Sequence, residues 1–591
     1  MALMPAIQNQ IFYESIIIEL SKNGDIFMAA EHIYQQKPWL AFYPEGVGEH
    51  IEIPQESIVT IFDREAEKSP KTPAIIFYGK KISYGDLKAE SDRFANALLK
   101  LGIKKGDRIG LLLLNSPQYV IAMLGALRIG AIVTPISPVY VSSEIKHQLE
   151  DSGARTVISL DILYEAIEKA GVELDNVILT NISEYLPKLK KIAGSSVLSG
   201  VYQQMKTPVI NIEEKKGFHS FQNLIRSSEK TTPDTPIEQA DIATLHYTGG
   251  TTGLPKGVML THANMSAALV QNLALYPFLK RGEETFIAYM PLYHIAGQWQ
   301  ITCSICFGWT SIIFTTPDVE EILKCISTYK ATFFGGAPTV FELLKTHEKT
   351  GRVKWEKLKI ILGGADTLHE HTVKDWQERT GTRIVEMYGM TESTGVTHAN
   401  PLAHARINSF GIPVPNTDAA VADPEADTLL EPGEIGEHVV RGPQIMKGYW
   451  ENPEATNEVM AEIDGVLWYR TGDLVRMDTD GFFHFYDRKR DLIKYKGYRV
   501  YARDVEEVLR SHPQVKEAGV VGIPDARVGE YVKAFVVPES DARGRISEQD
   551  VKEFLNGKLA HYKIPSVIEF VGEIPKTDVG KVSRRELRFD L

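Results

Sequence analysis

From Ser57 onward two kinds of apolar run alternate along the chain, and this alternation limits the fold more than any single residue does. SIVTIFDREAEK is amphipathic at helical spacing, AIIFYG is a short strand, Leu87, Phe94, Ala95, Leu98 and Leu99 form a second helical stripe, and RIGLLLL is again a strand. Ser116 and Pro117 suit an N-cap and a first helical position, and AIVTPIS follows as a buried strand. Strands separated by whole helices need crossover connections. The pattern therefore predicts a layered α/β fold around a mostly parallel sheet. Residues 110 to 133, the most apolar stretch, are interrupted by Asn115-Ser116-Pro117 and carry Arg128, so they read as strand, turn and helix and not as a membrane span.

Three segments depart from this rhythm. Residues 1 to 36 form an N-terminal extension whose apolar cluster, FYESIIIEL, has no assignable role, and the proline-bounded KPWLAFYP after it suits an extended segment docked on a larger body. Residues 160 to 235 hold the strand-like VILT and the lysine-bearing EYLPKLKKIAG, a composition open to a peripheral membrane contact, to a cover over an apolar tunnel, or to a solvated insertion. After about Asp487 the charged run DRKRDLIKYKG reads as a linker. It leads to a helix with Val505, Val508 and Leu509 on one face, the strands EAGVVGI and YVKAFVV, a helix opened by Ser547 and Asp550 with Val551, Phe554, Leu555 and Leu559 on its apolar face, and the strand VIEFV. That is a small α+β domain, and a chain of 591 residues is long enough for two or more cores.

The resumed α/β pattern carries the segment with most chemical content. YTGGTTGLPKG, residues 247 to 257, follows the strand ATLHYT and precedes the helical HANMSAALVQNLALY. Glycines let backbone N–H groups converge on an anion, Thr248, Thr251 and Thr252 add hydroxyl donors, and Lys256 adds a cation; strand, loop and helix in this order predict a phosphate cradle at a helix N-terminus. The spacing is not that of a Walker A loop. A formal net charge of -12 argues against a general nucleic-acid partner and means that an anionic substrate needs local cations of this kind. Three cysteines provide no disulfide framework, which fits a reducing, cytoplasmic setting, and Cys303 and Cys306 sit in the apolar run ITCSICFGW as packing residues. The N-terminus lacks the ordered parts of a signal peptide.

Four further motifs follow the loop in order: YGMTES at 388 to 393, YRTGD at 469 to 473, YDRKRDLIKYKGYRV at 486 to 500 and PKTDVGKVSRREL at 575 to 587. With these the chain from residue 37 onward resembles the adenylate-forming superfamily of acyl-CoA synthetases, luciferases and peptide-synthetase adenylation domains. The TGG of the loop, PLYHI at 291 to 295 and GIPVPNT at 411 to 417 make it most similar to medium- and long-chain fatty acyl-CoA ligases. The resemblance implies a large ATP- and acyl-binding body over 37 to 487, a hinge at 488 to 490 and a mobile lid domain over 491 to 591. It implies an ATP-dependent, AMP-forming reaction in which a fatty acid attacks the α-phosphate, pyrophosphate leaves, and coenzyme A takes the acyl group as a thioester.

Residue roles follow from the same resemblance. Thr248, Thr251, Thr252, Lys256 and Thr391 would hold the phosphates, and Glu392 would bind Mg²⁺, for which a hard carboxylate is suited. Tyr388 would stack on adenine, with the backbone of Gly363, Gly364 and Ala365 bordering the base and the acyl head. Asp473 and Arg488 would contact the ribose. Lys581 would stabilise the reacting α-phosphate and carboxylate. Rotation of the lid about Arg490, where relatives more often carry Asp or Lys, would then bring Lys494 and Gly497 to the site, with Gly497 keeping the pantetheine tunnel clear. Asp487 stands where some relatives have glycine. His294 is a candidate for the acyl end of the pocket and equally a hydrogen-bonded core histidine; His369 and His371, two apart at a helix start, are expected to face different directions. A ligase for a short-chain or aryl acid and a non-catalytic nucleotide- or acyl-binding sensor are the competing readings. The oligomeric state is open, a homodimer included.

Overall fold

The computed structural model describes residues 18–20, 26–28, 33–187, 215–248, 254–315, 319–366, 368–496, 498–525, 527–576 and 582–589. Two large sheets carry the body. One has eight strands, in the order Gly448–Tyr449, Lys256–Thr261, Ile242–Thr248, Ile132–Pro135, Arg108–Leu112, Thr156–Leu160, Asn176–Thr180 and Phe218–Ser220. The other has nine, running from Ile412–Pro413 through Gly395–Ala399, Ile384–Met390, Ile360–Gly363, Phe333–Gly336, Thr285–Ala288, Thr310–Ile313 and Pro73–Phe77 to Lys80–Ser83. The central pairs of both are parallel, as the strand–helix alternation predicts. Between the sheets pack the helices Pro117–Arg128, His262–Ala274 and Ile295–Cys306, buried on nearly every residue, which is why their sequences are apolar all round rather than amphipathic. Cys303 and Cys306 lie in this core.

Arg128, at the end of the most apolar helix, is 3% exposed and bonds Asp63 through both terminal nitrogens at 2.6 and 2.8 Å, while its Nε pairs with Asp92 at 2.9 Å. A charge stripped of water requires such partners. Leu99 departs from its predicted stripe: Leu87, Phe94, Ala95 and Leu98 of the helix Tyr84–Lys100 are buried, but Leu99 is 40% exposed. Ser116 occupies the predicted cap position without capping, its hydroxyl donating to the Leu114 carbonyl instead.

Several expectations are corrected. VILT does not belong to an insertion: Asn176–Thr180 pairs parallel with both Thr156–Leu160 and Phe218–Ser220, so the eight-stranded sheet continues through the segment. The lysines of EYLPKLKKIAG from Lys188 onward lie outside the described residues. KPWLAFYP docks on the body, but as a 3₁₀ turn over Pro38–Phe42, with Trp39 1% exposed and packed so closely on Gly481 that a Cβ there would come within 2.9 Å of the indole. The charged run after Asp487 is compact: the strand Phe483–Arg488 leads through a single 3₁₀ turn, Lys489–Asp491, into the strand Leu492–Tyr495.

A third sheet, built from Asp418–Ala422, Ile435–Arg441, Val466–Met477, Met460–Ile463 and Phe483–Arg488, covers one end of the body. Residues beyond the turn form a separate five-stranded sheet with its own core of Ile493, Val500, Val505, Leu509, Val520, Val536 and Leu555. Ser547 and Asp550 make the predicted capping box, and the helix they open ends at Leu555, short of Leu559. Among the described residues no helix is long and apolar enough to cross a membrane.

Candidate functional site

The glycine-rich segment connects two strands that pair with each other. Strands Ile242–Thr248 and Lys256–Thr261 pair antiparallel with Thr248 opposite Lys256, and the next helix begins only at His262. The expected helix N-terminus is therefore not at the loop; an intervening strand removes it. Thr248 ends the first strand and Lys256 begins the second, while Thr251 and Thr252 lie outside the described residues. The hairpin borders a cavity of about 700 Å³ where the C-terminal ends of the parallel strands Phe333–Gly336, Ile360–Gly363 and Ile384–Met390 meet the third sheet. Open α/β sheets bind ligands at such strand ends. Thr248, Lys256, His294, Gly364, Ala365, Tyr388, Thr391, Glu392, Arg488 and Arg490 all line it, joining motifs that are far apart in sequence.

One end suits an anion. The Glu392 carboxylate accepts a hydrogen bond from Tyr449 Oη at 3.0 Å and faces Thr248 Oγ1 at 3.5 Å. Tyr449 reaches it from a short strand paired to the edge of the hairpin. Burial holds the Glu392 carboxyl above its ordinary range, and among the described residues no cation stands within ion-pair distance of it. Lys256 Nζ lies 5.3 Å from the Tyr449 ring centroid. A part-buried carboxylate that opens on a cavity without a cationic partner within ion-pair distance among the described residues fits a divalent ion. One carboxylate is a donor set that fits Mg²⁺, an ion usually held by one or two carboxylates plus phosphates and water.

The aromatic wall is Tyr388. Phe410 stacks on it at 4.4 Å and 27°, and the buried His398 and His438 pack edge-on behind it. Its hydroxyl donates to Asp473 Oδ2 at 2.6 Å, and the other Asp473 oxygen pairs with Arg488. Register makes this pair, because Asp473 lies directly opposite Arg488 across antiparallel strands. Asp473 is 2% exposed and sits one layer behind the cavity wall, whereas Arg488 lines the wall, its guanidinium held charged chiefly by Asp473. Gly364 approaches the Met387 carbonyl so closely that a Cβ would stand 3.0 Å from it, and Ala365 adopts a φ of 69°. Outside glycine that backbone conformation costs roughly 1–2 kcal/mol, so the neighbouring packing holds the turn against the cavity.

His294 fulfils both of its readings: it lines the cavity, and its Nδ1 caps the helix Ile295–Cys306 by accepting from the Ala296 N–H at 3.2 Å. Lys494 is not in the cavity. It is exposed on the small domain and paired with Glu425 of the body. Gly497 and Lys581 lie outside the described residues. Arg490 lies in the 3₁₀ turn between the two parts of the chain and faces the cavity, and burial lowers its pKa. His369 and His371 stack at 5.6 Å and 15° instead of diverging, since His369 is the extended residue before the helix Glu370–Thr380.

The sequence reading omits several cavity residues. Glu437, 2% exposed, takes both Arg470 and Lys489, fixing the residue beside Arg490 to the third sheet. Trp299 and Gln300, on the helix His294 caps, line the apolar end with Met290, Leu362, Met387 and Val396. Trp299 and Gln300, five and six residues beyond His294, do not share its helix face, and no local pattern marks them or Glu437.

Comparison with known proteins agrees with this arrangement. A family model described as AMP-binding enzyme matches residues 62–450, and one described as AMP-binding enzyme C-terminal domain matches residues 504–581. A long-chain-fatty-acid–CoA ligase of Bacillus subtilis (strain 168) is 38% identical over 559 residues, covering 93% of this chain and 98% of that one. Among solved structures, ATP-bound MatB from Rhodopseudomonas palustris superposes with a TM-score of 0.74 at 27% identity, over 90% of this chain and 98% of that one. A Mycobacterium tuberculosis fatty acyl CoA synthetase does so with a TM-score of 0.69 at 25% identity and the same coverage. With both matched segments present in order, the first over more than half of the chain, the chain belongs to the AMP-binding enzyme family.

Proposed function

We infer that the protein is an ATP-dependent, AMP-forming ligase that converts a fatty acid and coenzyme A to acyl-CoA through an acyl-adenylate, with release of pyrophosphate. The observation that carries this is a single cavity with an anion-suited end at Thr248, Lys256, Thr391 and Glu392, an aromatic wall at Tyr388 and an apolar end at Met290, Trp299, Leu362 and Val396. The family matches and the long-chain-fatty-acid–CoA ligase relative support the same substrate class.

Phosphoryl and adenylyl chemistry asks a protein mainly for positioning and charge neutralisation. Thr248, Lys256 and Thr391, with Thr251 and Thr252 of the glycine-rich segment, hold the β- and γ-phosphates; Tyr388 stacks on adenine; Gly364 and Ala365 border the base and the acyl head. Arg488 contacts the ribose, and Asp473 joins it there by exchanging the Tyr388 phenol for the sugar hydroxyls. Glu392 would hold Mg²⁺, which when bound neutralises phosphate charge during transfer. In the first step a carboxylate oxygen bonds to the α-phosphorus as the bond to pyrophosphate breaks, with Lys581 neutralising the charge that gathers there. In the second the coenzyme A sulfur bonds to the acyl carbon, AMP leaves, and the thiol proton goes to solvent.

Residues 37–487 form the ATP- and acyl-binding body, 488–490 the hinge and 491–591 the lid. The separate sheet and core that begin after the Lys489–Asp491 turn support this division. Rotation about Arg490 exchanges Lys581 for Lys494 and Gly497 at the cavity; the exposed position of Lys494 beside Glu425 suits the orientation that precedes rotation. Mixing the protein with ATP, Mg²⁺ and aliphatic acids from acetate to palmitate, with benzoate added, and measuring pyrophosphate and thioester tests the reading. A maximum among medium to long aliphatic acids is expected; no pyrophosphate from any acid would refute the ligase, and a maximum at acetate or benzoate would refute the fatty-acid assignment.

A further inference from the structure

The apolar end of the cavity contains one group that does not match it. Gln300 is 8% exposed and lines the cavity among Met290, Trp299, Leu362, Met387 and Val396. On the same helix Gln298 Oε1 meets His246 and the Trp299 indole N–H donates to the Ala268 carbonyl at 3.2 Å, while Gln298 Nε2 and Thr302 Oγ1, neither of which belongs to a cavity-lining residue, are buried without a hydrogen-bond partner among the described residues. The Gln300 Oε1 is buried and, among the described residues, has no hydrogen-bond partner. Its amide lies against the Cα of Gly335, on the strand Phe333–Gly336, so that a Cβ at Gly335 would stand 2.5 Å from Nε2. The absent side chain of Gly335 thus leaves the space that the carboxamide fills. Gln300 lies six residues beyond His294, roughly 9 Å along the helix at 1.5 Å per residue, well removed from the phosphate end.

An unbranched alkyl chain filling this end would strip water from the carboxamide and return no hydrogen bond, which is unfavourable for a buried amide. A hydroxyl on the chain at that depth can instead accept a hydrogen bond from the amide N–H, the oxygen being fully buried. We propose that Gln300 is a specificity-determining residue that selects long-chain acids bearing one hydroxyl part-way along the chain over the unsubstituted acid of the same length. This rests on the fatty-acid reading of the cavity.

The probes are hexadecanoic acid and its single-hydroxyl positional isomers, each measured by kcat/KM for thioester formation and by calorimetric Kd. The wild-type protein should favour one isomer over hexadecanoic acid about tenfold, the scale of one buried hydrogen bond. Gln300→Leu should abolish that preference, and Gly335→Ala, which displaces the amide without altering the helix, should weaken it. Because each preference is a ratio within one protein, a uniform loss of activity does not mimic it, and Gln300→Met replaces the Leu variant if that fails to fold. No isomer favoured by the wild type, or a preference that survives in Gln300→Leu, overturns the proposal. Absence of turnover with every acid would instead count against the ligase, while the Kd ratios would still decide the role of Gln300.

Discussion

Replacing Arg584 by alanine should loosen the small domain. Its guanidinium reaches three carboxylates: Nη1 bonds Asp487 at 3.1 Å and Asp491 at 3.0 Å, and Nη2 bonds Glu506 at 2.8 Å. All three carboxylates are at most 4% exposed. Asp487 belongs to the third sheet of the body, Asp491 to the connecting turn and Glu506 to the first helix of the small domain, so one side chain ties together the elements on either side of the turn. Removing one partner of a buried ion pair typically costs about 3–5 kcal/mol, because the remaining charges stay desolvated. Arg588, which still pairs with Asp491, Arg510 beside Glu506, and proton uptake by the carboxylates recover part of this, leaving about 3 kcal/mol, or ~10–20 °C in the unfolding of a domain near 100 residues.

The pH dependence has a definite sign. Burial already raises the Asp487 and Glu506 carboxyls above their ordinary range, with Arg584 opposing that rise. Carboxyls whose folded-state pKa is raised contribute stability that is present below the unfolded pKa and lost as pH rises through the folded pKa. Without Arg584 the rise is larger, so the deficit of the variant should be smallest in acid and grow through neutral pH. Calorimetric scans of both proteins from pH 5 to 8 measure it. A deficit under about 0.5 kcal/mol, the scale of an ordinary surface substitution, or one that is the same at every pH, would refute the reasoning.

Lys581→Ala should abolish adenylate formation and spare thioester formation from supplied acyl-adenylate, and Lys494→Ala should do the reverse; equal loss of both steps in both variants would rule out domain alternation. Since Lys494 and Glu425 form an exposed pair, Lys494→Ala should change the melting temperature little. Arg128→Ala leaves Asp63 and Asp92 with Lys88 as their remaining shared cation and should destabilise the body by about 3 kcal/mol in denaturant unfolding, with Arg128→Lys recovering only part of it. His438 is lowered to about 3 and His246 to about 4 by burial, and His398 falls well below its ordinary 6.5. Such histidines fold neutral, so stability should be flat above pH 7 and fall as pH drops from 6.5 toward 4; His438→Phe should reduce the acid sensitivity, and an unchanged slope would contradict the assignment.

Local period alone determined much of the body. The alternation of AIIFYG, RIGLLLL and AIVTPIS with helical segments specified parallel strands and crossovers, since both periodicities belong to neighbouring residues. The same holds for the capping box at Ser547 and for the break in the apolar run at Asn115-Ser116-Pro117. Motif order likewise marked most residues that line the cavity, from Thr248 to Arg488. Tertiary structure decided what those residues do to one another. Thr248 and Glu392 meet across 144 positions, and Tyr388 and Asp473 across 85, distances over which no local pattern carries information. Whether TGGTTG led to a helix or to a second strand depended on the pairing of Lys256–Thr261 with Ile242–Thr248 on one side and Gly448–Tyr449 on the other. Strand register set Asp473 against Arg488, and only packing revealed that the charges of DRKRD are neutralised by Glu437 and Arg584 and that a lone carboxamide, Gln300, stands in an apolar wall. Period and propensity belong to the chain as written; burial, register and charge pairing exist only once distant segments exclude water between them.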